Sequence, residues 1–135
     1  MEKLNGVSID LTPEKSEQIF FDSMCNGMSY LRGYGLVLDY DKSDYNKARD
    51  LLKEQGKGIV CREDVWMQIL RSGGKLTIID EEGDDERFDI TLKEVHERVK
   101  LTDISILMEM LEERDDATTA DCILQTVFFN DVIFG

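Results

Sequence analysis

The tightest limit on this fold lies between Gly74 and Leu92, where the apolar spacing stops being helical and begins to alternate. Leu76-Thr77-Ile78-Ile79 is a β-type run, and Phe88, Ile90 and Leu92 alternate with Asp89 and Thr91. Between them stands Asp80-Glu81-Glu82-Gly83-Asp84-Asp85-Glu86, polar throughout and containing a glycine, which predicts a hairpin with a solvated turn. A lone hairpin is marginal in water, so its apolar face needs cover from the helices on either side.

Those helices carry start and stop signals. Thr12-Pro13-Glu14 opens one predicted over 13–31, with a capping hydroxyl, a proline suited to the first helical position and an acid at the positive helix end. Its apolar face is Phe20, Met24, Met28 and Leu31, and Gly33 is the expected left-handed stop. Leu36-Val37-Leu38 reads as a short strand. Ser43 is the expected cap of a second helix through Gln55, burying Tyr45, Ala48, Leu51 and Leu52. A third, over 62–72, aligns Val65, Trp66, Ile69 and Leu70 and stops at Gly73-Gly74.

Thr91 and Glu94 have capping-box spacing for a helix over 92–100 that turns Leu92, Val95 and Val99 inward. Thr102-Asp103 opens another with Ile104, Leu107, Met108 and Leu111, and a break at Asp115-Asp116 precedes a last one carrying Ala120, Ile123, Leu124, Val127 and Phe128. The expected fold is α+β: about five helices packed with a β-hairpin and a short additional strand, in a single globular domain over 1–135. A chain of 135 residues buries enough surface to need no metal or disulfide staple.

Net charge of −13 sets up a field that repels phosphate backbones and anionic membranes, so neither direct nucleic-acid binding nor a membrane partner is expected. Residues 101–135 alone hold eight acids against one base. Cys25, Cys61 and Cys122 are scattered, odd in number and set among apolar neighbours, which predicts small hydrophobes in a reducing cytoplasm rather than a secreted disulfide framework. MEKLNGVSID lacks the pattern of a secretory leader, and no apolar run reaches the ~20 residues that span a bilayer.

The motifs that could carry chemistry are incomplete. If Asp80, Glu82 and Asp84 were positions 1, 3 and 5 of a calcium loop, the sixth would be glycine and is Asp85, and the twelfth would be glutamate and is Thr91. Arg71-Ser72-Gly73-Gly74-Lys75 and Gly56-Lys57-Gly58 follow a helix, the order of a C-cap and not of a phosphate loop. The single histidine, His96, stands among Glu94, Val95 and Glu97 and reads as a surface residue. No metal, no cofactor and no catalytic set is expected, and the chain reads as a binding protein.

Two candidate surfaces remain. One is acidic: Glu109, Glu112, Glu113, Asp115 and Asp116, the first three sharing a face of a helix ending near Arg114, extended by the hairpin-tip residues Asp80, Glu82, Asp84, Asp85 and Glu86. The other is the apolar tail with Phe128, Phe129, Val132, Ile133 and Phe134, which either docks into the core or forms an oligomer contact.

The segment Asp64-Val65-Trp66-Met67-Gln68-Ile69-Leu70, the strand Leu76-Thr77-Ile78-Ile79-Asp80, Ile90-Thr91-Leu92, the ending Thr119-Ala120-Asp121-Cys122-Ile123-Leu124-Gln125 and the terminal Ile133-Phe134-Gly135 together resemble small uncharacterised accessory proteins of bacteriophages and mobile elements. The resemblance implies a setting in the cytoplasm of a bacterial host, where small acidic members act by occupying host proteins. It transfers no functional residue. The expected function is therefore inhibition of a host defence protein by occupation of its basic surface. The alternatives are a nucleotide-signal sponge or hydrolase using Lys57, Arg62, Arg71 and Lys75, and a virion or assembly component.

Overall fold

A computed structural model describes residues 10–56, 58, 60–114 and 116–134. In chain order they form α1 (Pro13–Gly33), β1 (Leu36–Asp39), α2 (Lys42–Glu54), α3 (Arg62–Arg71), β2 (Leu76–Asp80), β3 (Glu86–Ile90), α4 (Leu92–Arg98), a 3-10 turn (Val99–Leu101), α5 (Ile104–Leu111) and α6 (Ala117–Phe129). The fold is α+β. Its antiparallel sheet has the order β1-β2-β3, with Leu38 opposite Ile78 and Ile78 opposite Phe88. Among the described residues no helix is long and apolar enough to cross a membrane.

The centre of the molecule is the pairing of α1 with α6. Phe20 and Phe128 meet with ring centroids 6.1 Å apart, and both side chains are buried. The helices approach closely at Gly27, where a Cβ would stand 2.9 Å from the Ala120 Cβ and 3.0 Å from α6 backbone. Glycine at that crossing is thus a packing requirement. Around this pair, Val65, Met67, Ile69 and Leu70 of α3, Leu76 and Ile78 of β2, Ile90 of β3 and Val95 of α4 complete one continuous core.

Several local expectations need correction. Gly33 lies inside α1, and the left-handed residue is Gly35 at φ +83°, where a Cβ would collide with the Glu82 carboxylate. Asp41, not Ser43, caps α2, since its carboxylate accepts the Asp44 N–H at 3.0 Å and a carboxylate at that end also meets the helix dipole. Cys25 and Cys61 are exposed and Cys122 only half-buried, so the thiols do not pack as core hydrophobes. Met108 is 41% exposed because α5 ends at Leu111 and turns Leu107 and Met110 inward instead. Leu51, expected inside, is also exposed.

Candidate interaction surface

The hairpin tip is a defined turn. The Asp80 carbonyl accepts the Gly83 N–H at 3.2 Å, and the Gly83 carbonyl accepts the Glu86 N–H at 3.4 Å. Asp84 and Asp85, the two residues inside the second turn, have φ of 63° and 54°. Consecutive positive φ suits the right-handed twist of the flanking strands, and aspartate is among the few non-glycine residues that adopt it readily. Asp80 Oδ1 accepts the Glu82 N–H at 3.2 Å, and the Gly35 carbonyl accepts the Glu81 N–H at 3.1 Å, which anchors the tip to the turn before β1. Among the described residues, the carboxylates of Glu81, Glu82, Asp84, Asp85 and Glu86 have no hydrogen-bonding or ion-pair partner, and all five residues are exposed.

The C-terminal acidic stretch is organised differently. Glu109 Oε1 accepts the Thr119 hydroxyl at 3.0 Å and joins α5 to the first turn of α6. Asp116 is the α6 cap, accepting the Thr119 N–H at 3.0 Å, and these backbone bonds hold its carboxyl below its ordinary value. Glu112 follows the last residue of α5 and pairs with Arg114 at 2.6 Å, while Glu113 lies beyond the helix at φ 57°. Glu109, Glu112 and Glu113 therefore do not share one helical face, because α5 stops before the last two. Asp115 lies outside the described residues.

The tail docks inward through Gln125, which is fully buried. Its Oε1 accepts the Ile133 and Phe134 N–H groups, both at 2.8 Å, and its Nε2 donates to Asp121 Oδ1 at 3.0 Å and to the Phe134 carbonyl at 3.2 Å. Asp121 Oδ2 accepts the Tyr34 hydroxyl at 2.8 Å. Burial, then this bond to a carboxylate, pushes the Tyr34 hydroxyl up to about 12. Phe134 stacks on Tyr34 with centroids 5.1 Å apart. Phe128 is a core residue, and Phe129 packs edge-on against Phe88, so neither is an exposed oligomer contact; Val132 and Ile133 are exposed. The signal for this latch was the run of polar residues Thr119, Asp121, Gln125 and Thr126 in an otherwise apolar helix, all buried.

The basic residues near the glycine turns are matched by carboxylates. Arg71 Nε lies 2.8 Å from Glu17, Lys75 lies 3.3 Å from Asp89, and Arg62 lies 3.5 Å from Glu63 and over the Trp66 ring. Lys57 lies outside the described residues. His96 Nε2 sits 2.9 Å from the other Glu17 oxygen, so Glu17 ties α1 to α3 and α4. Burial pushes the Glu17 carboxyl up, but the bonds from Arg71 and His96 outweigh it and hold it below its ordinary value.

Cys25 lies two turns of α1 from Glu17, about 12 Å along the axis. Its thiol is pushed up to about 11 by partial burial and then by Glu63, Asp22 and Asp64, an environment that suppresses the thiolate. Among the described residues no group of three or more His, Cys, Asp or Glu side chains is placed to hold a metal ion. The chain matches no protein-family model, no curated protein and no solved structure.

Proposed function

We propose that this protein is a non-catalytic binding protein that occupies a basic surface of a host protein, with the hairpin tip as its principal contact. The observation that carries the reading is the row of carboxylates without a partner among the described residues, Glu81, Glu82, Asp84, Asp85 and Glu86, held on a turn anchored to the body of the fold. A turn with a fixed backbone presents charge with little conformational entropy to lose on binding. The −13 net charge adds long-range steering toward a cationic partner. Partial mimicry of a phosphate backbone by these carboxylates makes the nucleic-acid channel of a defence nuclease a suitable target, in the phage or mobile-element setting that the sequence resemblance implies.

Affinity capture from bacterial host lysate at low salt tests this reading. The expected result is a basic protein retained by the parent, released by salt and lost when Asp84, Asp85 and Glu86 are changed to Asn, Asn and Gln. Capture of nothing by the parent, or equal capture by the triple variant, contradicts it. A second reading, self-association of an assembly component, draws on the exposed Tyr30, Val132 and Ile133, which border one hollow beside the docked tail. Sedimentation of a strictly monomeric species at high concentration would remove it.

A further inference from the structure

Gln125 holds the tail by its backbone. Its Oε1 accepts the Ile133 and Phe134 N–H groups and its Nε2 donates to the Phe134 carbonyl, so one side-chain amide satisfies main-chain groups of two successive residues. Extended peptides are recognised in the same way, main-chain bonds supplying affinity and pockets selecting side chains. The selected side chain here is Phe134, whose ring centroid lies 5.1 Å from that of Tyr34 and 5.9 Å from that of Phe129. The receptor is fixed by contacts that do not involve the tail: Asp121 accepts from Gln125 and is itself held by the Tyr34 hydroxyl of α1.

A short turn, Asn130-Asp131-Val132, joins α6 to the segment it receives. Asn130 stands in the left-handed region at φ 60°, its N–H donating to the Thr126 carbonyl at 2.9 Å, and the chain reverses at this residue. Asparagine accepts that region far more readily than a β-branched residue, for which it is an outlier. Past the turn, Phe134 stacks inward while Val132 and Ile133 stay 47% and 54% exposed, two large apolar side chains that folding back within one chain leaves uncovered. Two copies that exchange tails keep every receptor contact, which makes exchange of an identical element a low-cost route to a dimer. The exchange also brings the two turns, each carrying Val132, alongside one another.

We propose that the Gln125 receptor binds residues 133–134 of a second copy of this chain, giving a two-fold dimer with exchanged tails. Within one chain the tail competes at the effective concentration of a short tether, on the order of millimolar, so the parent exchanges only at comparable protein concentration. Any change that opens the turn or removes the competing tail lowers that threshold. The proposal rests on the self-association reading and deepens it by naming the contact; it is independent of the acidic tip.

Complementation between two variants of the whole chain tests it by sedimentation equilibrium. Gln125→Ala keeps the tail and lacks the receptor, whereas Ile133→Pro with Phe134→Ala keeps the receptor and lacks the docking segment. The expected result is a one-to-one complex in the mixture and a monomer for either variant alone. A mixture of the two folded variants that stays monomeric overturns the exchange. If Gln125→Ala does not fold, Asn130→Val decides instead, since it leaves tail and receptor intact and disfavours only the left-handed turn. It should dimerise at protein concentrations at least about tenfold below those the parent requires, and Asn130→Gly, which keeps the turn, should not. An Asn130→Val chain no more dimeric than the parent overturns the exchange. Those negative results with a parent that still associates leave self-association resting on Tyr30, Val132 and Ile133 without exchange; with a strictly monomeric parent they remove both.

Discussion

Between Asp103 and Asp121 the chain carries seven carboxylates, and between Asp80 and Glu86 it carries six. By charge density the two stretches look alike, yet the fold treats them in opposite ways. In the first, Asp103 and Asp116 cap helices, Glu109 accepts from Thr119, Glu112 pairs with Arg114, and buried Asp121 accepts from Tyr34 and Gln125; Glu113 alone has no side-chain partner among the described residues, and Asp115 lies outside them. In the second, one carboxylate, Asp80, braces the turn, and those of Glu81 to Glu86 have no partner among the described residues. Charge count and charge availability are separate quantities, and only the second offers a partner something to bind.

The largest expected effect breaks the first region at its latch. Gln125→Ala leaves the Ile133 and Phe134 N–H groups and one Asp121 oxygen without their partner, and should lower unfolding free energy by roughly 2–4 kcal/mol. Urea denaturation measures it; a change below about 0.5 kcal/mol, the scale of an ordinary surface substitution, would show the tail to be undocked.

Next comes Asp116→Ala, which removes the α6 cap and should lower the urea midpoint measurably, by less than the loss of the latch. A cost equal to that of changing a tip aspartate would erase the distinction between the two regions.

Acid should act on the first region through the same carboxylates. Asp103, held down by bonds from Ser105, and Asp116, held down by those from Thr119, lie below their ordinary value in the folded state, as do Glu17 and Glu94. A depressed folded value contributes stability above the unfolded value and loses it as pH falls. The urea midpoint should hold from pH 7 to about pH 5 and decline below it. A midpoint that rises on acidification would mean that relief of the −13 self-repulsion outweighs these bonds.

The smallest effect belongs to the tip. Asp84→Asn with Asp85→Asn keeps residues that accept left-handed φ and relieves repulsion, so stability should change by no more than about 0.5 kcal/mol. A loss above 2 kcal/mol, as for a broken buried contact, would mean that these aspartates hold the turn.

Much of the framework was legible from sequence because its signals are local. Thr12-Pro13, the Thr91–Glu94 capping box and the alternation through Ile90 each depend on residues within a few positions, and each stands as expected. Periodicity failed where tertiary contact decides. Met108 fits an apolar stripe but is exposed because α5 turns Leu107 and Met110 inward, and Gly33 yields to Gly35 because α1 runs through Gly33 itself. Spacing placed Glu109, Glu112 and Glu113 on one face, but a helix end at Leu111 cannot be read from spacing. The Glu17 bridge and the Tyr34–Asp121 bond join residues far apart in the chain, and the Gln125 latch depends on the last residues folding back onto α6; for these a single sequence offers no marker beyond polar residues in apolar company.

The central claim, that the tip and not the C-terminal acids is the charge offered to a basic partner, is tested most directly by a salt series on the captured complex. Dissociation constants are measured for the parent, for the Asp84→Asn, Asp85→Asn, Glu86→Gln variant and for Glu112→Gln with Glu113→Gln. The account predicts weaker binding and a shallower dependence of affinity on salt for the tip variant, with the second variant close to the parent. The reverse ranking, or a parent affinity indifferent to salt, would contradict it.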